Sequence, residues 1–217
     1  MKMRGGVLVR EGFCYQEETQ LTVLKTSLFF AGDGFSVYDS KAKLLFRVDS
    51  YGPDVRDKDE VVLMDASGNC LLTVRRKRPS LHQRWEGFIE EEGSRKKPVF
   101  SVRRSSIIRR SSVNVEVFDN PGEEYLIDGS FRQRCCTIYR TSNNNKEKEV
   151  VAQIKRKVDA DTNVVLGRDV FWLCLKPGFD AAFAMGLVLV LDQINGIIGD
   201  YLLDGENVDP TAQVASP

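Results

Sequence analysis

Residues 181–191, Ala-Ala-Phe-Ala-Met-Gly-Leu-Val-Leu-Val-Leu, run without a polar interruption between Asp180 and Asp192. As an α-helix such a run is about 16 Å long, roughly half of a bilayer's hydrocarbon core. It is therefore too short to cross a membrane. It is also apolar on every side, which disfavours an amphipathic helix lying on a surface. Asp180 follows Pro177-Gly178 and suits the N-cap position, where the helix dipole favours a carboxylate. Gly196, after Asn195, is expected to end the element. The run predicts one helix over about 180–196, shielded from water by the rest of the chain.

The rest of the chain reads as strands. Residues 34–48 and 60–74 are each two β-rich runs joined by a polar turn, and they match at a constant offset, with Asp39 over Asp65, Leu45 over Leu71, Phe46 over Leu72 and Val48 over Val74. Each unit predicts a hairpin. Further strand-like runs cover 84–90, 99–103, 113–118, 125–131, 135–139, 149–157, 163–166 and 170–176. Gly, Pro, Asn and charged tips separate them. Many short strands at regular spacing point to an all-β barrel or sandwich. A closed antiparallel barrel of about twelve strands removes exposed edges and encloses a helix, whereas a sandwich would carry the helix as a cap on one end. The fold class is therefore all-β with one buried helix.

Balanced charge narrows the partners. Lys plus Arg and Asp plus Glu both number 31, so no global basic field is available for nucleic acid, and an anionic partner must be met by a local patch. The five cysteines show no C-x-x-C spacing and fit a reduced intracellular compartment, cytoplasm or nucleus. Residues 1–20 carry charges among their apolar residues and read as a flexible start without a secretory signal, with Val7, Leu8 and Val9 as a possible edge strand. Residues 21–203 form the single expected domain. Residues 204–217 have few large apolar groups and are expected to be disordered.

Several segments carry a family resemblance: 81–88 (LHQRWEGF), 98–106 (PVFSVRRSS), 128–139 (DGSFRQRCCTIY), 150–157 (VVAQIKRK) and, most specific, 166–195 from Leu-Gly-Arg-Asp-Val-Phe-Trp to Asp-Gln-Ile-Asn. In this order they resemble the plant LURP-one-related proteins over about residues 23–195. The resemblance implies a tubby-like fold, in which an antiparallel barrel wraps one C-terminal hydrophobic helix. It implies kinship with the phosphoinositide-binding tubby domain and, more distantly, with the phospholipid scramblases. A role in plant defence signalling is implied in the same way. The family offers no catalytic residues to carry over.

Three apparent strands end alike, in Arg75, Arg76, Lys77 and Arg78, in Arg103 and Arg104, and in Lys155, Arg156 and Lys157. In a meander every second strand points the same way, so these ends are candidates for one basic rim, with Lys96, Lys97, Arg109 and Arg110 nearby. Such a rim would attract phosphoinositide headgroups or an anionic leaflet, at about 1 kcal/mol per cation near the surface. Solvated or edge-blocking charge is the plainer reading. The expected function is thus a non-enzymatic, monomeric barrel at the peripheral face of a membrane. The alternatives are a protein–protein scaffold that never touches lipid and, more remotely, scramblase-like lipid handling.

Other chemistry has weaker signals. Asp159, Asp161 and Asn163 occupy EF-hand positions, but Val164 and Val170 stand where the loop needs Gly and Glu, so a polar turn is expected and no metal. His82 is the sole histidine, beside Trp85, and no nucleophile or phosphate-binding loop accompanies it. Cys135 and Cys136 lie in an apolar strand pattern that keeps thiols inert. No catalytic site and no cofactor are expected. Arg-Arg-Ser-Ser occurs twice over 103–112, which makes Ser106 and Ser112 candidate phosphorylation sites whose modification would neutralise the rim.

Overall fold

A computed structural model describes residues 8–26, 34–49, 59–78, 84–91, 95–104, 112–119, 122–142 and 145–204. A short 3-10 turn at Glu11–Phe13 precedes the strands β1 (Thr19–Leu24), β2 (Gly34–Tyr38), β3 (Leu44–Asp49), β4 (Glu60–Asp65), β5 (Cys70–Arg76), β6 (Trp85–Glu91), β7 (Arg95–Arg104), β8 (Val113–Val117), β9 (Glu123–Ser130), β10 (Cys135–Ser142), β11 (Asn145–Arg156) and β12 (Val170–Leu175). One helix follows, α1 (Ala181–Asp204). Every strand pairs antiparallel with its neighbour in sequence, and β1 pairs with β12, so the sheet closes into a barrel of twelve strands. No helix among the described residues is long and apolar enough to cross a membrane.

The helix enters at the end where β12 finishes and runs up the inside. Ala181 to Leu191 are all buried. The barrel wall meets them with the inward-facing half of each strand: Leu21 and Val23, Leu72 and Val74, Phe100 and Val102, Ile154, Phe171 and Leu173 are at most 1 % exposed. Closest approach is on β5, where a Cβ on Gly186 would lie 2.3 Å from a methyl of Leu72, so glycine lets the helix seat against that strand. Phe183 anchors the first turns through edge-on contacts with Phe100, Tyr125 and Phe179. A core helix needs no polar face because the sheet supplies hydrocarbon all round.

The two matched hairpins are the same in detail. Asp39 Oδ1 accepts from the backbone amides of Lys41 and Lys43, and Asp65 Oδ1 accepts from Ser67 and Asn69. Ala42, at φ 59°, and Gly68, at φ 91°, take the left-handed place in each turn. Each hairpin also carries a bulge at the matching point, Val37/Tyr38 and Leu63/Met64. An aspartate side chain that bonds its own turn fixes loop geometry, and the geometry fixes register.

Three expectations change. The helix does not end at Gly196 but continues to Asp204. The sequence beyond it, Ile-Ile-Gly-Asp-Tyr-Leu-Leu-Asp, propagates the helix, and one interior glycine costs only about 1 kcal/mol. Residues 163–166 are not a barrel strand. Val158 and Val165 form an isolated bridge, and the chain between them is a turn organised by Asp159. The twelfth strand is instead β1, within Thr-Gln-Leu-Thr-Val-Leu, which closes the barrel between β12 and β2. Leu8 and Val9 add no edge strand, because their amides bond the Asp180 side chain, and Val7 lies outside the described residues.

Candidate functional site

The meander fixes which strand ends share a rim. Odd-numbered strands all run one way, so the last residues of β1, β5, β7 and β11 lie at one end, with the start of every even strand and the C-terminal half of α1. The three basic runs therefore share that end. They do not sit side by side: β5 and β7 are two strands apart in the ring, and β11 lies across the mouth from β5.

The cations there divide by the face of the sheet they occupy. Alternation continues past the apolar core, so Val23 leads to Lys25, Val74 to Arg76, Val102 to Arg104 and Ile154 to Arg156. The register agrees: Arg76 pairs with buried Trp85, Arg104 with buried Val113, and Arg156 with buried Phe171. These four positions form a cationic layer facing the mouth. Lys25 binds Asp192 of α1 at 3.0 Å. The helix runs on to Asp204, about 18 Å beyond Asp192, so at this level the layer meets a helix side chain and not the helix terminus.

Of the other rim cations, three are engaged by carboxylates. Arg75 pairs with Glu60, Lys77 with Glu86 at 2.8 Å and Arg78 with Asp59 at 3.0 Å. Lys157 donates to Thr22 Oγ1 at 3.0 Å. Arg103 and Lys155 are exposed on the outer wall, and Arg156 is exposed at the mouth. Lys96 and Lys97 begin β7, at the other end of that strand from Arg104, and are held by Glu60, and by Glu91 and Asp119. Arg109, Arg110, Ser106 and His82 lie outside the described residues. Ser112 directly precedes β8 at the mouth and is half-buried.

Two further arginines come from the β9–β10 turn and were not among the sequence candidates. Arg132 donates to the carbonyl of Asn195 at 3.3 Å. Arg134 is 5 % exposed, with its guanidinium 4.2 Å from the Phe131 ring centroid and 4.4 Å from that of Phe171. Its Nε donates to the Arg168 carbonyl at 2.8 Å. Burial lowers its pKa, and Asp192 and Asp169 oppose that shift. The only sequence signal for this residue was its place in the tight Phe-Arg-Gln-Arg turn, since its φ of 52° and its aromatic sandwich depend on strands distant in sequence.

The opposite end is closed. Asp180 is 1 % exposed. One carboxylate oxygen caps α1 through the amides of Ala182 and Phe183, at 2.9 and 3.1 Å. The other accepts from Leu8, Val9 and Arg10, at 3.3, 2.7 and 3.1 Å. Cys14 bridges Asp180, and Gly178 donates to Tyr15, so the N-terminal segment lies across this end. Burial, and then the Asp180 charge, push the Cys14 thiol up to about 11.

Among the described residues the remaining thiols and carboxylates form no cluster that could hold a metal. Burial pushes Cys136 up to about 12, which keeps it a thiol. Cys135, expected to be shielded, is exposed because it takes the outward face of β10. Asp159 Oδ1 is occupied by the amides of Asp161 and Thr162 and the Thr162 hydroxyl, as the polar-turn reading expects.

Comparison with known proteins gives one answer. The LURP-one-related family model matches residues 19–192. Protein LURP-one-related 12 of Arabidopsis thaliana is 65% identical over 195 residues, covering 90% of this chain and 86% of the relative. Protein LURP-one-related 5 of the same plant is 62% identical over 215 residues, covering 97% and 99%. An X-ray structure of an Arabidopsis thaliana protein superposes with a TM-score of 0.60 at 23% identity, over 88% of this chain and 99% of that one, and so shares the fold. The chain belongs to the LURP-one-related family.

Proposed function

We propose that this chain is a non-enzymatic barrel protein that docks on anionic, phosphoinositide-bearing lipid surfaces through the end at which α1 emerges. The observation that carries the reading is the mouth-facing set Arg76, Arg104 and Arg156, which continues the inward face of three strands and meets no carboxylate among the described residues. A cation in that position has its charge available, whereas Arg75, Lys77 and Arg78 spend theirs on Glu60, Glu86 and Asp59. The family kinship with tubby-like lipid binders and a place in plant defence signalling are consistent with peripheral attachment at a membrane inside the cell. A second reading, a protein-binding scaffold, is favoured by Val164 and Val165, which are 57% and 45% exposed beside the same mouth.

The test is co-sedimentation with phosphatidylcholine vesicles, with and without phosphoinositide. Binding should require the anionic lipid and weaken as salt is raised. Reversing Arg76, Arg104 and Arg156 to Glu should lower affinity about a hundredfold or more, at about 1 kcal/mol per cation plus the repulsion introduced. Reversing Lys41 and Lys43, exposed in the β2–β3 turn at the closed end, should leave it unchanged. Wild-type protein that stays in the supernatant at low salt removes the docking reading and leaves the scaffold.

A further inference from the structure

Beside the exposed end of α1 the mouth contains a cleft of about 80 Å³ between the helix and strands β7 to β10. A water needs about 10–15 Å³ of such space, so the cleft admits a group larger than water. Its floor is hydrocarbon: Val113, Ile127, Phe131, Leu191 and Ile194 line it, each at most 4% exposed. Its lip is polar and cationic, formed by Arg104, Arg132 and Ser130. Among the described residues no Asp or Glu lines it. The buried Cys136 thiol in the wall adds no negative charge, since burial holds it protonated.

That composition selects a ligand class by elimination. A metal ion or organic cation finds no carboxylate and meets two guanidiniums. A pure hydrocarbon fills the floor but leaves the guanidiniums facing it. Inorganic phosphate satisfies the lip and leaves the apolar floor wet. Only a molecule with an oxyanion at one end and a compact apolar body at the other satisfies both parts, since buried polar groups need partners and apolar surface gains from cover. The donors suit an oxyanion: guanidiniums bind phosphate and carboxylate in a planar fork, and a hydroxyl adds a third donor. Arg132 already spends one N–H on the Asn195 carbonyl, which holds its guanidinium beside the cleft.

We infer that this cleft binds a single anionic amphiphile, with a phosphate monoester held by Arg104, Arg132 and the Ser130 hydroxyl and its alkyl portion laid on the floor between Val113 and Ile194. The site deepens the docking reading and rests on it only for the membrane as the source of the ligand. A soluble alkyl phosphate would present the same chemistry.

The experiment is calorimetric titration of the full chain with hexyl phosphate, inorganic phosphate and hexanol. Hexyl phosphate should bind at least about tenfold more tightly than inorganic phosphate, because its chain covers the floor. Arg132→Gln, an exposed change that leaves the fold alone, should weaken hexyl phosphate about tenfold, the loss of one charge-assisted hydrogen bond. Val113→Phe should fill the floor and remove the preference for the alkyl group while leaving inorganic phosphate binding unchanged. Equal affinities for hexyl and inorganic phosphate, or an Arg132→Gln chain that binds hexyl phosphate like wild type, overturns the site. Vesicles of phosphatidylcholine with phosphatidate then assign the source. A parallel loss of vesicle binding in Arg132→Gln identifies a lipid headgroup. Unchanged vesicle binding alongside weakened hexyl phosphate identifies a soluble ligand. Hexyl phosphate bound by a chain that ignores every anionic vesicle retains the cleft and removes the docking reading.

Discussion

The two ends of this barrel are built on opposite principles. At the closed end the charge is internal and fully committed: one buried carboxylate, Asp180, accepts from five backbone amides and ties residues 8–10 to the start of the helix. At the mouth the charge is cationic, faces solvent and is committed only in part, through Lys25 to Asp192 and Arg132 to Asn195. Groups whose hydrogen bonds are all internal contribute to stability. Groups whose bonds are left open are available to a partner. The difference gives one end a structural role and supports the proposal that the other end binds a partner.

The largest expected effect is at the closed end. Asp180→Ala removes the helix cap and leaves several buried amides without an acceptor. At about 1 kcal/mol for a cap and about 1–3 kcal/mol for each buried donor left unsatisfied, with partial relaxation, the total should be about 3–5 kcal/mol. Urea denaturation measures it as a lower midpoint at unchanged slope. Asp180→Asn keeps one acceptor oxygen and should lose less. A loss below about 1 kcal/mol for the alanine variant would erase the distinction between the ends, since that is the value of an ordinary exposed cap.

Two glycines of one helix sharpen the same contrast. Gly186 lies in the enclosed half, where an added methyl meets Leu72 at 2.3 Å. Gly186→Ala should cost about 1–3 kcal/mol through overpacking. Gly196 is exposed at the mouth and has nothing within 4 Å of an added Cβ. Gly196→Ala should stabilise the chain by about 0.5–1 kcal/mol through helix propensity alone. Thermal melting of the two variants, moving in opposite directions, separates packing from propensity in one element.

How much of this was legible beforehand depended on the range of the interactions. The helix could be read from residues 181–191 because an apolar run without a polar face admits few environments. The paired hairpins could be read because Asp39 and Asp65 act within their own turns, on residues two and four positions away. The common rim could be posed only as a condition on strand direction, which the meander then met. What remained hidden was long-range. Nothing local in Leu8 to Arg10 announces a partner more than 170 residues away. Nothing in the Arg75 to Arg78 run shows that Glu60, Glu86 and Asp59 flank it across neighbouring strands. β1 was missed because its alternation is short and follows a polar start. The mouth-facing layer was the avoidable omission, since Val23-x-Lys25, Val74-x-Arg76, Val102-x-Arg104 and Ile154-x-Arg156 repeat one pattern at period two.

That pattern carries the smallest expected effect on stability. Replacing Arg76 and Arg156 by Gln removes two exposed or half-exposed charges that meet no carboxylate among the described residues. Surface changes of this kind stay within about 0.5 kcal/mol. Relief of repulsion around the mouth works in favour of the variant by about a few tenths of a kcal/mol. The urea midpoint should therefore hardly move, although the same two residues belong to the set whose reversal is expected to weaken vesicle binding about a hundredfold. The contrast with Asp180 is then quantitative: several kcal/mol of folding and no role in binding at one end, the reverse at the other. If Arg76→Gln with Arg156→Gln instead destabilises the chain by more than about 1 kcal/mol, these guanidiniums are structural, and the mouth loses its free charge.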